Sequence, residues 1–312
     1  MSIEKREFFA PSSDGVHTLA GVVYLPAGEV RGFFQIVHGM TEHIGRYERV
    51  MSELTEAGWL CFGYDNLGHG HTAREDCELG FIASKNGYDL LAKDVKVFSD
   101  AIFAEFDRGE KPYCLMGHSM GSFIVRLAAE RYVKPNRLIV MGTSGANPAA
   151  GAGLALIALI KAFRGEKHVS NLIESIAFGS YNKRFGGGTK EDPKPWLTTD
   201  EEVRRRYYAD PFCTFRFTVS AMGDLIRLIK LTNRAAWYHS LPERMPILLI
   251  SGREDPVGNY GKGVEEVCSL LRAQGIETEC VLYEGARHEI LNDFTYEEVQ
   301  KQLLDFCEKE LQ

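Results

Sequence analysis

The 312-residue chain has no run of about 20 apolar residues, the length that a membrane-spanning helix requires. Its longest apolar stretch, 149–160, is diluted by Gly151 and Gly153. It has no excess of positive charge either. The net charge is −7, so no electrostatic attraction to nucleic acid is expected. The basic run Arg204-Arg205-Arg206 is short and flanked by acids, as on a solvated helix face. The first residues, MSIEKREFF, mix acid and base without an apolar core, so no signal peptide is expected. None of the seven cysteines stands in CxxC spacing. They read as reduced and mostly buried thiols, which points to the cytoplasm. Internal repeats and low-complexity tracts are also missing.

What is present is an ordinary globular composition, 45% hydrophobic and 25% charged, in a chain long enough for one large α/β domain with an insertion. Residues 4–24 read as two antiparallel strands joined at Ser12-Ser13-Asp14-Gly15. An alternation follows. Strands are expected at 33–37, 59–64, 113–116 and 137–141, with helices at 46–57, 88–106 and 122–132. The rhythm breaks between about Gly145 and His239 and resumes with strands at 246–250 and 277–283 and helices at 262–274 and 296–311. Such alternation implies a mostly parallel sheet with helices on both faces. The expected division is a core formed by 1–144 and 240–312, with 145–239 as a helical cap inserted between them. In such sheets ligands bind outside the carboxyl ends of the strands.

Chemistry-bearing residues stand at those ends. Gly117-His118-Ser119-Met120-Gly121 falls between a strand and a helix. GxSxG alone occurs by chance, but this strand–turn–helix context gives it force. A serine on such a turn projects its hydroxyl from the sheet at a helix N-terminus, where backbone dipoles favour a developing anion. Serine needs a base, and histidine titrates in the right range. Among nine histidines, His288 follows the last strand and lies after Ser119 in the chain, the order expected of a nucleophile and base on such a sheet. His118 adjoins the serine and is expected to point elsewhere. The base needs an orienting carboxylate. Asp255, in Gly252-Arg253-Glu254-Asp255-Pro256-Val257, follows a strand between the other two, and its Asp-Pro step suits a tight turn. Glu254 is its competitor. The oxyanion donors expected are the backbone N–H groups of Met120 and of Met40, the latter in the loop after strand 33–37.

Taken with His38-Gly39-Met40-Thr41-Glu42-His43-Ile44-Gly45-Arg46-Tyr47, Tyr64-Asp65-Asn66-Leu67-Gly68-His69-Gly70 and His288-Glu289, these motifs resemble the monoglyceride lipase and lysophospholipase group of α/β-hydrolases. The resemblance spans both core segments. It implies that Glu42, His43 and Arg46 brace the oxyanion loop, and that His69 and His71 near Asp65 belong to a structural loop rather than a metal site. It implies a serine hydrolase of acyl esters such as monoacylglycerols or lysophospholipids, acting through an acyl-enzyme without cofactor or metal. Acyl transfer and amide or peptide hydrolysis use the same residues and stay open. So does a non-catalytic binding module, which would need none of them. The insert carries the apolar stretch 149–160 and Ile173, Ile176, Phe178, Phe212, Phe215, Phe217, Met222, Leu225 and Ile229. These either line an acyl-chain tunnel or pack cap on core, and they leave open a transient contact of the cap with a membrane surface.

Overall fold

The computed structural model describes residues 3–242 and 244–309. Residues 1–2, 243 and 310–312 lie outside that description, and with them the two ends of the expected core and the last two residues of the expected C-terminal helix. Eight strands form one sheet: β1 (Glu4–Pro11), β2 (Thr18–Leu25), β3 (Gly32–Val37), β4 (Trp59–Tyr64), β5 (Tyr113–His118), β6 (Arg137–Met141), β7 (Ile247–Gly252) and β8 (Thr278–Tyr283). Their order is β1-β2-β4-β3-β5-β6-β7-β8. β1 and β2 pair antiparallel with their neighbours, and from β4 to β8 every pairing is parallel.

Residues of β3 to β7 are buried throughout, which is why these strands read as continuous apolar runs and not as alternating ones. One face is covered by α1 (Glu48–Glu56) and α10 (Tyr296–Glu308), through Met51, Leu54, Val299, Leu303 and Phe306. The other face is covered by α2 (Gly87–Phe106), α3 (Met120–Arg131) and α9 (Lys262–Ala273). On α2 the inward residues Leu91, Val95, Phe98 and Ile102 keep helical spacing. The helix expected from Arg46 begins as a 3-10 turn, Ile44–Tyr47, and becomes α-helical at Glu48. The Ile44 amide is held there by Asp65 Oδ1 at 2.8 Å, a contact from another loop that no local pattern announces.

The long connection between β6 and β7 is helical: α4 (Ala150–Arg164), α5 (Asn171–Phe178), α6 (Glu201–Ala209), α7 (Val219–Thr232) and α8 (Ala235–Ser240). Its last part rests on the sheet-covering helices. α7 buries Ala221, Leu225 and Leu228, and Trp237 of α8 donates its indole N–H to the carbonyl of Arg126 on α3 at 2.8 Å. The apolar helix α4 is only thinly covered. Ala150 and Ile157 are its buried residues, whereas Phe163 is 80% exposed. Among the described residues no helix is long and apolar enough to cross a membrane.

Candidate active site

Three loops at the carboxyl ends of β5, β7 and β8 carry the residues singled out in the sequence. Ser119 follows β5 directly, with φ 55° and ψ −121°, a conformation that side chains other than glycine seldom adopt. The turn is tight enough to require both flanking glycines. A β-carbon on Gly117 would lie 2.2 Å from the Gly121 carbonyl oxygen, and one on Gly121 would lie 2.1 Å from that of Val37. The Ser119 amide is tied to the Met141 carbonyl of β6 at 2.9 Å, which fixes the turn against the next strand.

Asp255 is fully buried after β7. Its Oδ1 accepts from the Val257 amide at 2.8 Å, and its Oδ2 faces His288 Nδ1 at 2.8 Å and the Ser251 hydroxyl at 3.2 Å. A carboxylate facing Nδ1 places the ring proton there and leaves Nε2 as an acceptor. Glu254, the competing carboxylate, instead stands 3.9 Å from Arg184. His288 and Ser119 line the same cavity of about 910 Å³. Among the described residues the Ser119 hydroxyl makes no hydrogen bond, to His288 or to any other group.

Met40 and Met120 line the same cavity, and among the described residues neither backbone amide donates to a protein acceptor. The loop before Met40 is anchored from below. Glu42 Oε1 accepts from the Gly39 amide at 2.6 Å, from the Tyr47 hydroxyl at 3.0 Å and from His118 Nδ1 at 3.2 Å. Arg46 bonds Glu42 Oε2 at 3.0 Å and both oxygens of Glu289 at 2.8 and 2.7 Å. Burial alone would raise the Glu42 carboxyl's pKa, but the bond to His118 and the charges of His118 and Arg46 outweigh it and hold the group well below the carboxylate range. Burial opposes the His118 charge in the same way. Glu42 outweighs it and raises that imidazole above its usual value. His118 does point away from the serine hydroxyl, into this network. Its ring lies against that of His288, centroids 4.8 Å apart.

Of the three residues that the resemblance implied as braces, Glu42 and Arg46 lie under the loop. His43 turns outward to Asp210, 2.9 Å from its carboxylate. The Asp65 carboxylate accepts the backbone amide of His71 in its own loop and that of Ile44 in the loop after β3, and His69 Nδ1 faces the Leu67 carbonyl. His43, Asp210 and Cys213 form the one grouping of potential metal ligands found among the described residues, and Cys213 also lines the cavity.

Sequence reasoning missed the contribution of the segment Lys194–Thr198. The Trp196 ring packs on His288, centroids 5.2 Å apart, and the Leu197 carbonyl accepts the Glu289 amide at 2.7 Å. Arg287 holds the segment through the Pro195 carbonyl at 2.6 Å. This stretch has no helical or strand period, so only the Pro-Trp-Leu cluster itself could have drawn attention. Of the insert residues expected to be apolar contacts, Phe178, Phe215, Leu225 and Ile229 line the cavity. Ile173, Phe217 and Met222 are buried in packing, and Ile176 is exposed.

A family model described as serine aminopeptidase, S33, matches residues 28–295. The monoacylglycerol lipase of Mycolicibacterium smegmatis is 26% identical over 311 residues, covering 94% of this chain and 95% of that protein. The human monoglyceride lipase is 25% identical over 272 residues, covering 84% of this chain and 77% of that protein. Among solved structures, a thermostable carboxyl esterase from Bacillus coagulans, in complex with glycerol, superposes with a TM-score of 0.89 at 28% identity, covering 98% of both chains.

Proposed function

Because this chain belongs to the serine aminopeptidase, S33, family and is a monoglyceride lipase-like α/β-hydrolase, we propose that it hydrolyses acyl esters of small alcohols through an acyl-enzyme on Ser119. The observation that carries this reading is the bond of 2.8 Å from the buried Asp255 to His288, which lines one cavity with the strained Ser119 turn. His288 takes the serine proton as Ser119 attacks the ester carbonyl. Asp255 keeps the imidazole in the accepting tautomer and stabilises its cation. The amides of Met40 and Met120 receive the oxyanion. His288 then returns the proton to the leaving alcohol and activates the water that releases the acid.

The substrates proposed are monoacylglycerols, lysophospholipids or similar lipid esters. The aromatic and aliphatic lining from Phe123, Phe178, Phe215, Leu225 and Ile229 supports an acyl chain there, since each buried methylene contributes about 0.8 kcal/mol. Residues 145–239 are proposed as the cap, with α7 and α8 as its base on α3. The scattered cysteines support a cytoplasmic location, and the exposed apolar side chains Leu159, Phe163, Leu172 and Ile176 support transient contact of the cap with a membrane surface.

The family is named for a peptidase, so hydrolysis of an aminoacyl amide is the second reading. The test is kcat/KM across p-nitrophenyl esters from acetyl to palmitoyl beside matched anilides. The proposed function gives a rise with chain length and weak anilide turnover. A preference for acetyl esters or for the anilides would overturn it.

A further inference from the structure

Lys194 lines the cavity and, among the described residues, forms no ion pair. Its backbone is pinned at both ends: the amide donates to the Tyr208 hydroxyl at 2.8 Å, and the carbonyl accepts from the Leu197 amide at 3.1 Å. Its side chain lines the cavity that Ser119 and His288 share. The ammonium has three N–H donors. Among the described residues its one hydrogen-bond partner is the Tyr207 hydroxyl, at 3.1 Å, and its nitrogen lies 4.9 Å from that ring's centre. The neighbouring carboxylates are already taken. Glu289 is bound by Arg46, and Glu174 by Arg216. In a chain with 43 acidic and 36 basic residues, a cation left unpaired in a cavity is not what composition would supply. It is also costly, because removing an ammonium from water is unfavourable unless an anion replaces the lost hydration. Burial pushes the Lys194 ammonium below its usual value, the direction expected of a charge awaiting a partner.

The position of this cation decides which part of a substrate it meets. The Tyr207 hydroxyl also donates to the Thr41 carbonyl at 2.9 Å, and Thr41 follows Met40, so two hydrogen bonds separate Lys194 from the oxyanion loop. Thr41, Glu42, Tyr208 and Glu289 supply polar lining to the same cavity, and the Tyr207 ring packs with Leu197 and Cys213. Further apolar lining comes from Phe123 of α3, Phe178 of α5, Phe215, and Leu225 and Ile229 of α7. We propose that Lys194 forms an anion-binding subsite for the alcohol half of the ester, so that preferred substrates are acyl esters of small alcohols bearing a phosphate or carboxylate. This rests on the ester-hydrolase reading and deepens it.

The test compares three octanoyl esters of one chain length: octanoylglycerol, octanoylglycerol phosphate and octanoylglycerate. The quantity read is the ratio of kcat/KM for each anionic ester to that for the neutral one. Lys194→Gln, which keeps a donor for Tyr207, should lower that ratio roughly 10- to 100-fold, mostly through KM, and Lys194→Arg should restore most of it. A larger loss with the phosphate ester identifies phosphate as the group recognised, and a larger loss with the glycerate ester identifies carboxylate. With the unaltered protein, glycerol 3-phosphate should compete with substrate at least about tenfold better than glycerol. Equal ratios in the unaltered protein and Lys194→Gln, or no advantage of glycerol 3-phosphate, overturn the subsite alone. No turnover of any of the three esters removes the ester-hydrolase reading, and the subsite with it.

Discussion

The Arg46 guanidinium binds both carboxylate oxygens of Glu289, at 2.8 and 2.7 Å, while its Nη1 also holds Glu42 at 3.0 Å. One partly buried side chain thus ties the loop that carries Met40 to the residue after His288. The two loops come from opposite ends of the chain, and their relative position depends on this bridge and on the Leu197 carbonyl that accepts the Glu289 amide.

Removing the bridge should therefore cost stability and rate together. Arg46→Leu leaves two buried carboxylates without their cation. A loss of about 3–5 kcal/mol in urea unfolding is expected, because an uncompensated buried charge is costly. Ester turnover should fall with it. Glu289→Gln keeps a hydrogen-bond acceptor and should lose less. A change below about 1 kcal/mol for Arg46→Leu, the size of an exposed ion pair, would show that the bridge braces nothing.

The proposed oxyanion donors are main-chain groups, so side-chain truncation should matter little there. Met120→Ala is expected to keep ester kcat within about tenfold, whereas Met120→Pro, which lacks the N–H, should lose roughly 10²–10³-fold. Proline is otherwise tolerated at the first position of a helix, which Met120 occupies. Equal losses in the two variants, each verified as folded by circular dichroism, would contradict the assignment.

Acid should destabilise the protein through two buried neutral imidazoles. Burial pushes His38 down to about 4 and His69 down to about 3. His38 Nε2 accepts the Asn66 amide at 2.9 Å, and protonation would turn that acceptor into a donor facing a donor. Since the unfolded chain binds these protons near pH 6.5 and the folded one does not, their contribution is complete above that pH. It declines as pH falls from 6.5 towards 4 and then 3. His118 has the opposite sign. Its pKa is raised beside Glu42, so its contribution is present below pH 6.5 and is lost only on the alkaline side. The melting temperature should fall steadily from pH 6.5 to 4, and less steeply in His69→Phe. A flat profile over that window would contradict the burial of neutral imidazoles.

Much of the fold was legible because its signals are local. Strands 59–64 and 137–141 match β4 and β6 residue for residue, since buried parallel strands leave uninterrupted apolar runs between glycines and polar turns. The strand ends then pointed to Ser119, Asp255 and His288, because strand–turn–helix order and chain order limit where such residues can stand. The rest depends on tertiary contacts without a period. The 3-10 start before α1 is set by Asp65, 21 residues away. Trp196 reaches His288 from an irregular segment, and Lys194 stands out only once its missing counter-charge can be seen. Apolar residues all round α4 left open whether it is buried or meets something apolar, and only the tertiary structure shows that it buries Ala150 and Ile157 and exposes Leu159 and Phe163.

The central claim is that Ser119 is the nucleophile, and covalent labelling tests it most directly. The protein is incubated with a fluorophosphonate probe, digested and mapped by mass spectrometry, alongside Ser119→Ala. The expected result is one modified site at Ser119, absent from the variant, with ester kcat lowered on the order of 10⁴- to 10⁶-fold in Ser119→Ala. A probe adduct at another residue, or undiminished ester turnover by the folded variant, would contradict it.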